Sequence, residues 1–159
     1  MDQSDTWKSD PLVKVQDMVM PVMWTGGRVV MNHQLGHDAP GGWVQSFDHA
    51  ALALRQTGIA LMREYGVDIT TEDRRVFEHA ADQVEACRDV LHRTIARPAT
   101  PNVTADALTM IQTRMQPAVS AAIDRHRMGF INLVVARQKA HADQTNSAIS
   151  GLDRISKQI

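Results

Sequence analysis

Two histidines near the N-terminus have the spacing of a metal-binding pair. His33 and His37 form an H-x-x-x-H pattern, and Asp38 follows the second histidine. On a helix, residues four apart share one face, so both imidazoles could bind the same metal ion. However, Gly36 and Pro40 interrupt this region and disfavour a regular helix. Histidines of an exposed loop are therefore the favoured interpretation, and no metal or other cofactor is predicted.

Cys87 and the pair Asp89 and His92 are the other groups that could do chemistry. Cys87 lies between Val84 and Leu91 at helical spacing, which indicates a small buried residue rather than a nucleophile. Asp89 and His92 are three residues apart, but metal sites in helical bundles need several such pairs on facing helices. The sequence also contains no G-x-S-x-G, P-loop or G-x-G-x-x-G motif. These residues give no support for an enzyme.

A locally basic stretch lies in the C-terminal third of the chain. Such a helix face could contact phosphate or an acidic partner. However, the aromatic residues that usually stack on single-stranded nucleic acid are missing around it. The whole chain has 17 Lys+Arg against 18 Asp+Glu, so no global positive field favours nucleic acid. A solvated helix face is the preferred interpretation of its basic groups, which are Arg125, His126, Arg127, Arg137, Lys139 and His141.

The composition favours a single helical domain that begins without an export signal. The chain has 159 residues, of which 43% are hydrophobic but only 4% aromatic, so aliphatic side chains must fill the core. The first ten residues are polar and acidic, and the Val/Met-rich stretch 12–31 is too interrupted to span a membrane. We therefore predict a cytoplasmic protein, or one that is exported without a classical signal peptide.

Two densely patterned helices are predicted in the middle of the chain. Between Val44 and Tyr65, apolar residues recur at alternating intervals of three and four, and Gly66 has the position of a C-terminal cap. The pair Thr70–Thr71 has the character of an N-cap for a second helix with the same spacing. This second helix should end at about Arg97, because Pro98 disfavours helical geometry in the preceding residue.

The C-terminal part is predicted to contain one long helix. After a turn at 98–102, a helix capped by Asn102 or Thr104 runs to Pro117, and helical pattern then continues from 118 to 150, with Gly151 near its end. Polar groups interrupt the apolar positions in the middle of this helix, so a second copy or another protein should complete it. The predicted partner-binding residues are Phe130, Val134, His141, Ala148, Leu152, Ile155 and Ile159.

The first 42 residues are predicted to form an irregular segment that precedes a helical domain at 43–159. A short helix or strand should begin near Leu12, the diglycine at 26–27 should form a turn, and residues 29–31 should form a short strand. A second diglycine at 41–42 closes the segment.

The C-terminal half resembles the helical hairpin of bacterial type III secretion needle and inner-rod subunits. The resemblance rests on PATPN at 98–102 and QTNSAISGLDRISKQI at 144–159. Members of that family polymerise by burying the C-terminal helix against neighbouring subunits, so the resemblance implies a secreted structural subunit. It covers about the last 65 residues, and the chain is about twice as long as a needle subunit.

The sequence thus predicts an all-α fold, namely an elongated helical bundle or helical hairpin with a long C-terminal helix. The leading functional hypothesis is a non-catalytic interaction or assembly protein, such as a subunit or accessory factor of a bacterial secretion or surface apparatus. One alternative is a small helical-bundle metal protein or enzyme that uses His33, His37 and Asp38. The other is a nucleic-acid-binding regulator that uses the basic stretch.

Overall fold

The computed structural model describes residues 16–57, 59–60, 63 and 68–157, and the regular elements of these ranges are all helical. The predicted all-α fold with a long C-terminal helix is therefore confirmed. In chain order, the α-helices are α1 (Pro21–Gln34), α2 (Trp43–Leu52), α3 (Thr71–Ile95), α4 (Pro101–Met110) and α5 (Gln116–Lys157). A first π-helical segment, Ala53–Thr57, follows α2, and a second, Ile111–Met115, follows α4.

The central helix is α3, which contacts α1, α2, α4, α5 and both π segments. A capping box begins it: the Asp73 N–H donates to Thr70 Oγ1 at 3.0 Å, and the Thr70 N–H donates to Asp73 Oδ2 at 2.9 Å. These bonds satisfy backbone donors that the first turn of a helix leaves free. The predicted start is confirmed, and the helix ends at Ile95, two residues before the predicted Arg97.

Aliphatic side chains and two phenylalanines fill the core. Phe47, Phe77, Leu54, Leu91 and Met115 are the largest hydrophobic side chains that are fully buried. Alanines are buried between them on α2, α3 and α5, where a small side chain lets two helices approach closely. Burying one large aliphatic or aromatic side chain contributes about 1.5–3 kcal/mol. A core made of such residues on several helices therefore holds the bundle together without a disulfide.

The segment before residue 42 departs from the sequence prediction. Helix α1 runs unbroken through residues 26–31, where a diglycine turn and a short strand were predicted. Val22 and Val29 of this helix are fully buried. Gly26 faces the first turn of the second π segment, and a Cβ on it would lie 3.1 Å from Ile111 Cδ1. The diglycine therefore permits a close helix contact, and burial overrides the local preference of valine for strands.

Helix α2 begins directly after the second diglycine. Gly42 is its N-cap residue and has φ 76°, in the left-handed region that glycine adopts at little cost. Along α2 and the following π segment, Phe47 and Leu54 are fully buried, as their spacing predicted. The predicted end of this helix, at Tyr65 with Gly66 as its cap, lies outside the described residues.

The first π segment carries a guanidinium that contacts three carboxylates of α3. Arg55 Nε donates to Glu78 Oε1 at 2.9 Å, and the other guanidinium nitrogens contact Asp82 and Glu85. The three acidic residues lie on successive turns of α3, at spacings of four and three residues. Arg55 therefore links the end of α2 to one edge of the central helix.

The C-terminal helices begin at other residues than those predicted. Thr100 caps α4, because its Oγ1 accepts a hydrogen bond from the Val103 N–H at 3.3 Å. Asn102 and Thr104, the predicted caps, lie inside the helix, and Pro101 occupies its first turn, where a missing N–H is tolerated.

The long helix α5 begins at a π segment and ends later than predicted. The π segment immediately precedes Gln116 and Pro117, as expected where a proline cannot donate the usual helical hydrogen bond. From there α5 runs to Lys157, so Gly151 lies within the helix and not at its end. One continuous helix across 118–150 is confirmed.

We expect Gly26→Val to destabilise the bundle by about 1–3 kcal/mol, because the added carbons would overpack the contact with Ile111 and Phe47. The control is Gly27→Val, since no atom lies within 4 Å of a Cβ at position 27. Urea unfolding followed by circular dichroism measures both changes. Equal effects of the two substitutions would show that the close contact at Gly26 does not matter.

Candidate functional site

The first three turns of α5 pack against α3. Val119 and Ala122 are fully buried, and Ile123 is nearly so. His126 is also buried, with only 2% of its surface exposed. These residues recur at spacings of three and four, as expected for one face of a helix. This buried face fixes the position of α5 before the helix leaves the bundle.

An ion pair joins the beginning of α3 to α5 at the last buried turn of α5. Arg125 Nε donates to Asp73 Oδ1, while the other carboxylate oxygen of Asp73 closes the capping box of α3. Burial by itself would raise the pKa of Asp73. The Thr70 N–H, the Arg125 guanidinium and the Thr70 hydroxyl outweigh burial and hold this pKa below its ordinary value. Asp73 is therefore charged in the folded protein at neutral pH.

Beyond residue 127 the long helix is exposed to solvent. Every side chain described between 131 and 150 is exposed. Between 128 and 152 the helix has large hydrophobic side chains that range from 37% to 66% exposed. From 128 to 157 the helix extends over about 45 Å at 1.5 Å per residue. These exposed hydrophobic residues are Met128, Ile131, Val134, Val135, Ile149 and Leu152.

Most of these residues lie on one face, which we call the apolar stripe. The positions follow the three-and-four spacing of a coiled coil, with an alanine in the middle of the run. At about 100° per residue, this face points roughly 150° away from the face that the first turns of α5 bury against α3. The stripe therefore faces away from the bundle, where another helix can approach it. Its members are Met128, Ile131, Val135, Ala142, Ile149 and Leu152.

The predicted partner-binding residues lie on a different face from most of the stripe. Val134, His141, Ala148 and Leu152 are exposed, but only Leu152 belongs to the stripe. The predicted set continued the bundle-facing side of α5, because its spacing was extended from the apolar residues near Ile123. Three other predicted residues lie outside the described part of the structure. For Phe130 and Ile155 this applies to the side chain, and for Ile159 to the whole residue.

The predicted set contains Leu152 but not the five other members of the stripe, which are Met128, Ile131, Val135, Ala142 and Ile149. In the sequence these residues follow a heptad pattern that starts at Met128, but small and polar residues between Val135 and Ile149 weaken this pattern. The structure distinguishes it from the pattern extended from Ile123, because the face that contains Ile123 is buried in the first turns of α5.

The predicted basic stretch does not form one cationic surface. Arg125 is engaged by Asp73, and His126 is buried in the bundle. Arg127, at the edge of the bundle, is half-buried. Lys139 and His141 are exposed farther along α5. The stretch therefore divides between the bundle and the exposed helix, which removes the main argument for a nucleic-acid-binding regulator.

His33 and His37, whose spacing resembles that of a metal-binding pair, do not lie on one helix. Helix α1 ends at Gln34, so His33 lies in its last turn and His37 lies beyond it. His33 Nε2 donates to the backbone oxygen of Arg97 at 2.7 Å and so joins α1 to the end of α3. Within the described residues, no group of three or more His, Cys, Asp or Glu side chains could hold a metal ion. His33 thus has a structural role in this arrangement.

The remaining chemical candidates also have packing roles. Cys87 is fully buried, as predicted, and burial raises the pKa of its thiol to about 12. Such a thiol is protonated at neutral pH and is a poor nucleophile. His92 packs against Trp43, with ring centroids 4.8 Å apart, while Asp89 pairs with Arg88. Asp89 and His92 therefore have different partners.

Comparisons of this chain with protein-family models, with curated proteins and with solved structures returned no match. Of the helices in the described ranges, none is both long and apolar enough to cross a bilayer. The geometry of α5 is therefore the main guide to function.

We expect Asp73→Asn to lower the free energy of unfolding at pH 7 by about 1 kcal/mol, because it weakens the cap and the bond to Arg125. The folded-state pKa of Asp73 is lowered, so its contribution is present above the unfolded value of about 3.9 and is lost as the pH falls through the folded value. Unfolding curves measured from pH 7 to pH 2.5 should therefore show a smaller loss of stability for the variant.

The control for this experiment is Asp124→Asn, which changes an exposed carboxylate beside Arg125. It should keep the pH dependence of the wild-type protein. An unchanged pH dependence in Asp73→Asn would contradict the role assigned to this carboxylate.

We expect His33→Ala to destabilise the fold by about 1 kcal/mol through loss of the bond to the Arg97 carbonyl. His37→Ala should have almost no effect, because His37 is exposed. Thermal unfolding of both variants, with and without added Zn²⁺, separates this role from metal binding. A shared metal site would instead make Zn²⁺ stabilise the wild-type protein and neither variant.

Proposed function

We propose that this protein is a non-catalytic helical assembly protein whose apolar stripe pairs with the stripe of a second copy. The observation that carries the proposal is the row of exposed hydrophobic side chains from Met128 to Leu152. Soluble monomers rarely leave a contiguous apolar surface of this kind uncovered, and such surfaces commonly mark interaction sites. The three-and-four spacing of the row is the pattern by which two helices pack in a coiled coil.

The arrangement that we propose is an antiparallel pair centred on Ala140, because it keeps the two bundles apart. In that arrangement Met128 lies level with Leu152 of the second copy, and Ile131 lies level with Ile149. The larger apolar side chains at both ends of the stripe then cover one another. The two bundles lie at opposite ends of the paired helices, where neither blocks the other.

The middle of the stripe sets the strength of the pairing. Gln138 and Thr145 flank Ala142 on this face, so the central layers bury little hydrophobic surface. Polar residues at core positions of a coiled coil reduce affinity and fix the register. The pairing should therefore be reversible and dependent on protein concentration.

The resemblance to type III secretion needle and inner-rod subunits gives this proposal a more specific form. The turn at 96–100 joins α3 to the helices that follow it, and α3 contacts both α4 and α5, so this part of the chain forms a helical hairpin. A hairpin with an exposed C-terminal helix supports a role as a structural subunit or accessory factor of a bacterial secretion or surface apparatus. Export without a classical signal peptide belongs to the same proposal.

We expect sedimentation equilibrium to show a monomer that becomes a dimer as concentration rises, and Ile149→Lys to abolish the change. The substitution removes one isoleucine from each of two symmetric contacts, at about 1.5–3 kcal/mol each, so dimerisation should weaken about 100-fold or more. Ser147→Lys is the control, because Ser147 is exposed on the side of α5 away from the stripe. A wild-type protein that stays monomeric at millimolar concentration would contradict the proposal.

Two cysteine variants test whether the helices pair in the antiparallel direction. A mixture of Met128→Cys and Leu152→Cys proteins should form a mixed disulfide on mild oxidation, whereas each protein alone should not. Disulfides within each separate protein would show a parallel pair instead. Cys87 does not compete, because its thiol is buried and its pKa is about 12.

A further inference from the structure

A groove on the bundle lies between the end of α3 and the helices that follow it. It has a volume of about 460 Å³ and is open to solvent. Its size falls in the range of sites that hold small organic molecules. None of its lining residues belongs to the apolar stripe. The groove is therefore a feature separate from the proposed assembly surface.

Three arginines line the groove from both walls. Arg93 comes from the last turn of α3, Arg97 from the chain just after this helix, and Arg114 from the second π segment. None of the three forms an ion pair with a carboxylate of the described residues. By contrast, Arg55 and Arg88 are paired with acidic side chains. Asp106 is the one carboxylate among the residues that line the groove, so its net charge is positive.

Apolar side chains form the rest of the lining. Val90 of α3 and Val103, Ala107 and Met110 of α4 line the groove. Val103, Met110 and Val90 are partly accessible, and Ala107 is buried. A ligand that fits this lining has an apolar body as well as a negative charge.

Two features hold the walls in place. The backbone oxygen of Arg97 accepts the 2.7 Å hydrogen bond from His33 Nε2, which fixes the chain just after α3 ends. The opposite wall is a π-helical segment, a rare conformation that occurs frequently at functional sites. The backbone positions of Arg97 and Arg114 are thus set by the fold, while the side chains of all three arginines are exposed to solvent.

We propose that this groove binds a small organic anion with a phosphate-type head group, with its apolar body on Val90 and Met110. Three guanidinium groups against one carboxylate leave two positive charges, which match the charge of about −1.5 to −2 on a phosphate monoester at pH 7. Guanidinium groups also donate parallel pairs of hydrogen bonds to phosphate oxygens. The helix dipole accounts for a cation at the end of α3, but it does not account for Arg114 on the opposite wall.

The test is isothermal titration calorimetry of the full chain with phenyl phosphate, inorganic phosphate and benzoate. Phenyl phosphate should bind most tightly, because inorganic phosphate leaves the apolar lining uncovered and benzoate carries only one charge. Arg114→Gln and Arg93→Gln should each weaken phenyl phosphate binding about tenfold or more. The affinity should also fall as salt is added.

The matched control is Arg74→Gln, which removes an exposed arginine at the other end of α3. It should leave the affinity for phenyl phosphate unchanged. The proposal is overturned if 10 mM phenyl phosphate gives no heat of binding with the wild-type protein. It is also overturned if Arg74→Gln weakens binding as much as Arg114→Gln does, because the anion would then be attracted only by the general charge of the surface. Circular dichroism of each variant excludes loss of the fold as the cause.

Discussion

The carboxylate of Asp73 joins the beginning of the central helix to the long C-terminal helix. One of its oxygens accepts the Thr70 N–H and starts α3, while the other binds Arg125 on α5. Since α3 contacts every other α-helix named here, the residue that fixes its first turn also fixes the frame on which those helices pack. The same contact lies at the last turn that α5 buries in the bundle. The exposed part of α5 therefore leaves the bundle next to this ion pair.

Much of the fold could be predicted from local patterns. The start of α3 has a hydroxyl residue followed by acidic residues, and its buried positions recur at three and four, so both its limits and its inner face were predictable. Helix α1 was not, because its diglycine and its valines have the local character of a turn and a strand. Its helical form depends on the close contact of Gly26 with Ile111, which lies 85 positions later in the chain. A single sequence contains no local signal for a contact of that kind.

The exposure of the middle of α5 was predictable from the sequence, but the face that carries most of its exposed large hydrophobic side chains was not. The exposed part of α5 was identified because its apolar pattern is interrupted by Arg137 and His141. The face was assigned by extending the pattern of residues such as Ile123, and in the structure that side of the helix is the one that packs on the bundle. Met128 and Ile131 belong to a second apolar pattern on another face of α5. This second pattern can be recognised only when burial in the bundle has explained the pattern of Ile123. The arginine groove shows the same limit, since Arg93 and Arg114 are neighbours only through the packing of the helices.

In the proposed dimer, the exposure of α5 would couple the folding of this helix to association. A helix in water gains little from its backbone hydrogen bonds alone, and glycine inside a helix costs about 1 kcal/mol relative to alanine. Gly129 and Gly151 stand at the two ends of the exposed stretch, and no tertiary packing compensates for them along the side chains described between 131 and 150. In the proposed dimer, a second helix on the stripe would supply the missing packing, so binding and helix formation would share one free energy. The degree of order in this part of α5 would then vary with protein concentration, and amide hydrogen exchange would report on assembly as directly as mass does.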